Sequence, residues 1–169
     1  MVYQTFFLES EKKIWSSSST RFTVGKSPAV IRICGTFIRC IRYKKFTIKP
    51  VLRSLVTVRV SQINWCHFCV DINSATLAKR AGSLDKVENL EHWKESELFD
   101  DKEKVVLEYT EAVTYSDQQV SDELIERLKV YFDDDGLVEL TGLIAFQNLS
   151  SKFNSALDVP AQGFCKVPK

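Results

Sequence analysis

Residues 51–63 decide what this chain can fold into. Val56, Val58 and Val60 alternate as a strand would, whereas Leu52, Leu55, Val56, Val60 and Ile63 share one face of a helix. The β-branched content favours the strand. No partner strand is recognisable elsewhere in the chain, however, and a lone strand leaves its backbone donors and acceptors unpaired. The segment is therefore predicted as a helix, and the chain as an all-α, single-domain helical bundle.

The remaining segments agree. Ser27 followed by Pro28 reads as a cap with proline at the first helical position, opening a helix to about residue 43 with a stripe of Ile31, Cys34, Ile38 and Ile41. Residues 66–81 form a second helix, stopped by Gly82. A short helical turn and a loop follow over 83–93. Asp100 or Asp101 caps a helix to about residue 114, buried through Val105, Tyr109, Ala112 and Val113. A helix beginning at Ser121 turns Leu124, Leu128 and Tyr131 inward. Residues 137–149, apolar nearly all round, are expected to form the central and most buried helix, extending to about residue 156. The tail from residue 159 onward carries two prolines and a glycine and is expected to be irregular.

With 169 residues and 44% apolar content, one domain with a substantial core is expected. Residues 1–26, with a Ser16–Thr20 run, read as an extended or loosely ordered arm, although Tyr3, Phe6, Phe7, Trp15 and Phe22 suggest packing on the domain (27–169) or on a neighbouring chain. An organellar transit peptide is the alternative. No apolar run is long enough for a membrane span, and the first residues lack a secretory profile, so a cytoplasmic protein is expected. Residues 1–53 hold 11 Lys/Arg against 2 Asp/Glu. Arg39, Arg42, Lys44, Lys45 and Lys49 alternate with apolar residues, which fits a solvated face or a subunit contact better than a nucleic-acid arm.

Five cysteines, at 34, 40, 66, 69 and 165, are an odd set and suit a reducing compartment with one functional pair. Cys66 and Cys69 are that pair. Three apart at the start of a helix, they lie close enough to cycle between dithiol and disulfide. The free N–H groups of a first turn favour thiolate over thiol. No metal or cofactor is expected, since one Cys-x-x-Cys is short of the four ligands of a structural zinc site. The expected partners are a peroxide or disulfide substrate and a thiol reductant.

The run from Leu55 through Ala75, including Asn64, Trp65, Cys66, His67, Phe68, Cys69, Val70 and Asp71, resembles the core of the carboxymuconolactone decarboxylase and alkyl hydroperoxidase D family. The likeness extends to the helix with Glu108 and Glu111 and to Ile144, Ala145, Phe146, Gln147 and Asn148, spanning residues 28 to 165. It implies a helical fold, a homotrimer or homohexamer, and a dithiol that reduces peroxides, with Cys69 attacking and Cys66 resolving. Physically either sulfur could attack.

The chain also departs from the peroxidase branch. That branch carries a Glu twelve residues before the first Cys and a His four after the second, where this chain has Ser54 and Asn73. Neither titrates near neutral pH, so the usual proton relay cannot run through them. The branch also tends to have a His at the position of Phe68. His67 is the nearest titratable replacement, and Glu111 is the other candidate, readable either as a buried acceptor with a raised pKa or equally as an exposed acid flanking Ala112. His92 beside Trp93 reads as loop packing. The alternatives to a redox enzyme are a decarboxylase-like family member, a metal-binding protein and a non-catalytic helical oligomer.

Overall fold

The computed structural model describes residues 47–165, and every helix in this range is α-helical apart from one 3-10 turn. The expectations for residues 1–46, including the arm and the helix opened by Ser27 and Pro28, lie outside the described residues. Six helices follow one another: α1 Pro50–Ile63, α2 His67–Ala81, α3 Asp85–Glu88, α4 Asp101–Thr114, α5 Asp122–Lys129 and α6 Asp134–Ala156, with the 3-10 turn Leu90–His92 after α3.

The residues 51–63 that could have been a strand are helical. Pro50 starts α1 where its missing N–H is no loss. Leu55, Val56, Val58 and Val60 are then completely buried, so the helix is enclosed on several sides. It packs against α2, α4, α6, α3 and the 3-10 turn. The valines that looked like strand alternation are core positions of a helix covered nearly all round, which is why neither period fitted cleanly.

The helix ends follow short-range chemistry. Asp100 is the cap of α4: its carboxylate accepts from the Glu103 N–H at 2.8 Å, and the Glu103 side chain accepts from the Asp100 N–H at 3.1 Å. Ser121 caps α5 through the Leu124 N–H. Gly82 closes α2 at φ 78°, a left-handed conformation that a side chain would strain. Asp133 caps α6, so this helix begins three residues ahead of the expected Leu137. Asp134 and Asp135 lie in its first turn, where the helix dipole favours negative charge.

Two expectations need correction. The most enclosed helix is α1, not the 137–149 segment. Helix α6 buries Leu140 and Ile144 against the bundle but leaves Val138 71% exposed and Leu149 exposed on its outer face. An apolar surface all round shows that a helix can be buried, not which side is. Tyr131 was expected inward, but α5 ends at Lys129 and the Tyr131 side chain is 37% exposed, with the Lys102 ammonium over its ring. Among the described residues no helix is long and apolar enough to cross a membrane.

Candidate active site

The corner between α1 and α2 is built by backbone hydrogen bonds. The Trp65 N–H donates to Gln62 O at 3.0 Å and the Cys66 N–H donates to Ser61 O at 3.1 Å. These are the two bonds of a Schellman closure, which requires a left-handed residue at its turning point. Trp65 takes that role at φ 53°, although glycine would do so with less strain. Its indole is 79% exposed. The closure delivers Cys66 directly into the N-cap of α2, where its sulfur accepts from the Cys69 N–H at 3.2 Å.

Cys66 and Cys69 are joined as a disulfide with their Cα atoms 5.2 Å apart. Each sulfur has its own donor. For Cys66 it is the backbone N–H just described, and for Cys69 it is the Asn154 side-chain amide of α6, whose Nδ2 lies 3.4 Å away. Both cysteines are buried, 1% and 2% exposed, yet neither belongs to the contiguous hydrophobic core. They lie at an end of the bundle where their chain neighbours Trp65 and His67 are exposed. The tail after α6 also returns to this end. The Asp71 carboxylate of α2 accepts from the Gln162 N–H at 2.8 Å and the Cys165 N–H at 2.7 Å. Burial, and then the nearby Asp71 charge, push the Cys165 thiol above its ordinary pKa and keep it protonated.

The positions of the missing relay have other partners. Ser54 is buried on α1 and accepts from Arg80 at 2.7 Å. Asn73 lies one turn beyond Cys69 and donates to the Ser61 hydroxyl at 3.0 Å. That hydroxyl also accepts from Gln147 at 3.1 Å and donates to Thr57 O at 2.6 Å, and Gln147 donates in turn to Ser151 at 2.9 Å. Asn73 is thus held in a saturated network of uncharged groups, which positions side chains but contains no base. His67 occupies the first position of α2 with its side chain exposed. His92 lies exposed in the 3-10 turn, while its neighbour Trp93 packs into the core.

Of the two readings left open for Glu111 the structure has the buried one, but its pKa is not raised. Burial pushes the carboxyl up. The Trp93 indole N–H and the Arg59 guanidinium, with a smaller contribution from the Lys94 charge, outweigh that effect and hold the pKa below its ordinary value. Arg59 contacts Oε1 with Nε at 2.8 Å and Nη2 at 2.6 Å, Trp93 Nε1 reaches the same oxygen at 2.8 Å, and Lys94 lies 3.4 Å from Oε2. A carboxylate committed to three donors is a poor proton acceptor, so Glu111 ties α1 and α4 together.

The sequence reading missed Asn154, Gln147, Ser151 and Ser61. Their spacing was legible: Gln147, Ser151 and Asn154 recur at four- and three-residue steps, which places them on one face of α6, and all three are buried. Asn148, quoted above as part of the likeness, has a structural role. It accepts from Asn64 at 2.8 Å and donates to Thr114 at 3.1 Å, fastening the α1–α2 corner to α6 and α4. Among the described residues no three His, Cys, Asp or Glu side chains converge as metal ligands would. A shallow cleft between α4 and α5, lined by residues such as Lys104, Arg127 and Tyr131, lies apart from the cysteines.

The model of the carboxymuconolactone decarboxylase family matches residues 41–112, which include the α1–α2 corner and both cysteines. The uncharacterized protein YnjA of Escherichia coli K12 is 44% identical over 145 residues, covering 86% of this chain and 80% of YnjA. This chain belongs to the carboxymuconolactone decarboxylase family. Its fold is that of the alkylhydroperoxidase AhpD-like helical bundles. An uncharacterized peroxidase-related protein with an AhpD core, from Ralstonia eutropha JMP134, superposes with a TM-score of 0.72 at 20% identity, over 87% of this chain and 80% of its own. The debrominase Bmp8 superposes with a TM-score of 0.72 at 21% identity, over 84% and 76%. At these identities the likeness establishes the fold alone.

Proposed function

We propose that this protein is a thiol-dependent peroxidase or disulfide reductase that cycles Cys66 and Cys69 between dithiol and disulfide. The observation that carries the reading is the pair itself: bonded, at the N-terminus of a helix, with a separate hydrogen-bond donor on each sulfur. Those donors hold thiolates better than thiols, and only the thiolate attacks. The oxidised protein, as the disulfide, takes two electrons back from a thiol reductant, which fits a cytoplasmic setting. With Ser54 and Asn73 bonded elsewhere, neither relay position supplies a base to shuttle the proton, so turnover is expected to be slower than in relay-bearing relatives. His67 lies exposed beside Cys66 and is the nearest imidazole to the pair in sequence.

A decarboxylase-like reaction has less support. It needs a base together with a cation to hold the substrate carboxylate. The two buried acids among the described residues are each engaged with a cation, Glu111 with Arg59 and Glu103 with Lys86.

The test begins with protein reduced by dithiothreitol and desalted. One equivalent of hydroperoxide should restore the Cys66–Cys69 disulfide, read by peptide mass, with one hydroperoxide consumed per disulfide. A reduced pair that stays reduced while peroxide persists would sink the proposal.

The homotrimer or homohexamer is proposed on the exposed face of α6. Val138, Gly142, Ala145 and Leu149 recur there at four-, three- and four-residue steps, an apolar seam of the kind helices use to pack on one another. Sedimentation velocity should show a species of three or six chains, and a monomer at every concentration would refute this assembly.

A further inference from the structure

Asn154 is placed where its chemistry makes little sense for the disulfide. It is 6% exposed, its Nδ2 is 3.4 Å from Cys69 Sγ and 3.5 Å from the Ser150 hydroxyl, and its Oδ1 is buried with no hydrogen-bond partner. A disulfide sulfur is a weak acceptor, so the amide gains little there, while a buried carbonyl without a donor is unfavourable. An aliphatic side chain would suit the oxidised state better. The balance changes once Cys69 is a thiolate, because an N–H facing a negative sulfur is a charge-assisted hydrogen bond. Turning the amide over would set Oδ1 against that charge, so the thiolate itself selects the orientation with Nδ2 inward.

We propose that Asn154 makes Cys69 the attacking sulfur: its Nδ2 holds the Cys69 thiolate, and its Oδ1 accepts the O–H hydrogen of a hydroperoxide brought to that sulfur. This rests on the peroxidase reading above and supplies what Ser54 and Asn73 do not. The Cys69 thiolate attacks the hydroxyl oxygen of ROOH. An S–O bond forms with two electrons from sulfur as the O–O bond breaks, and RO⁻ leaves and takes up, through water, the proton that the Cys69 thiol gave up on ionising. The Cys66 thiolate then attacks the sulfur of the Cys69 sulfenic acid, forming the S–S bond and releasing hydroxide, which the proton from the Cys66 thiol converts to water. The sum is ROOH plus two thiols giving ROH, water and the disulfide.

The assignment separates the two sulfurs. Cys66 is served by the backbone N–H of Cys69, which no side-chain substitution removes, whereas Cys69 is served by Asn154. The charged groups around the pair are oriented otherwise: His67 is exposed, Asp71 holds the Gln162 and Cys165 amides, and Asp158 is exposed after α6.

The experiment has two arms. In the first, Cys69 in a Cys66→Ser protein is labelled with iodoacetamide across a pH series and read at its own peptide, with no peroxide present. Asn154→Leu should raise the labelling midpoint of Cys69 by about one pH unit, a tenfold loss of thiolate below it. The midpoint of Cys66, read in a Cys69→Ser protein, should not move. Asn154→Ala is measured alongside, so that a folding failure of the leucine variant leaves the assignment testable. An unmoved Cys69 midpoint, or an equal shift at Cys66, overturns it.

The second arm uses tert-butyl hydroperoxide in single turnover at a pH above both Cys69 midpoints, where the thiolate fraction is equal in wild type and variant. Asn154→Leu should remain about tenfold slower, as expected for the loss of a buried hydrogen bond to substrate. Equal rates overturn the role of Oδ1. Should wild type fail to react while the first arm still shows its shift, the hydroperoxide half and the peroxidase reading fall together, and the thiolate assignment stands.

Discussion

Cys69→Ser is expected to abolish dithiothreitol-supported peroxide consumption. A serine hydroxyl at that position has no accessible anion near neutral pH, and the Asn154 amide then faces a neutral oxygen instead of a thiolate. The expected fall is at least about a hundredfold, to the level of buffer with dithiothreitol alone. Cys66→Ser is predicted to behave differently. With dithiothreitol removed, the Cys69 thiolate can still attack once, but the sulfenic acid has no second protein thiol to meet and proceeds to sulfinic acid as peroxide is added. Peptide mass spectrometry distinguishes the two: over-oxidation accumulates at Cys69 in the Cys66 variant. If Cys69→Ser retains full activity while Cys66→Ser loses it, Cys66 at the helix N-cap is the attacking sulfur and the roles are reversed.

Glu111→Ala should destabilise the fold by about 3 kcal/mol, measured by urea denaturation, because removing one member of a buried ion pair strands the other. Arg59 and the Trp93 indole N–H both lose their acceptor in the interior. Lys94 contributes little to this figure, since its side chain is 62% exposed and solvent screens it. The same carboxylate sets an acid limit. Its folded-state pKa lies below the ordinary 4.5 despite burial, which alone would raise it, because Trp93, Arg59 and Lys94 favour the charged form. A group with a depressed folded pKa binds protons more readily when unfolded. Its contribution is therefore fully present above about pH 4.5 and is lost as pH falls through the lower folded value. Wild-type stability should decline across that acid range, and Glu111→Gln should flatten the decline. An unchanged acid profile in the glutamine variant would show that other carboxylates dominate it.

Glu111 also shows where sequence reasoning stops. That an acid lies on an apolar face of α4 is readable from spacing, but whether it is buried was left open. Whether its pKa rises or falls depends on what faces it, and Arg59 and Trp93 arrive from 52 and 18 residues away. Ser54 and Asn73 show the same division. Their failure to titrate is a property of the residues. Their engagement with Arg80, and with Ser61 and the network that Ser61 shares with Gln147, is a property of how α1, α2 and α6 meet. Asn154 was invisible for the same reason, since 85 residues separate it from the sulfur it touches.

By itself the sequence determined the helices of the described region, several of their caps at Asp100, Ser121 and Gly82, and the pairing of Cys66 with Cys69. These depend on hydrogen bonds and side-chain steps within one or two turns of chain, and such distances are written in residue order. Only the tertiary structure decided which helix is enclosed, which face of α6 stays open, which charge Glu111 keeps and which amide reaches Cys69. Each of those depends on groups far apart in the chain, and only the packing of whole helices sets the distance between them.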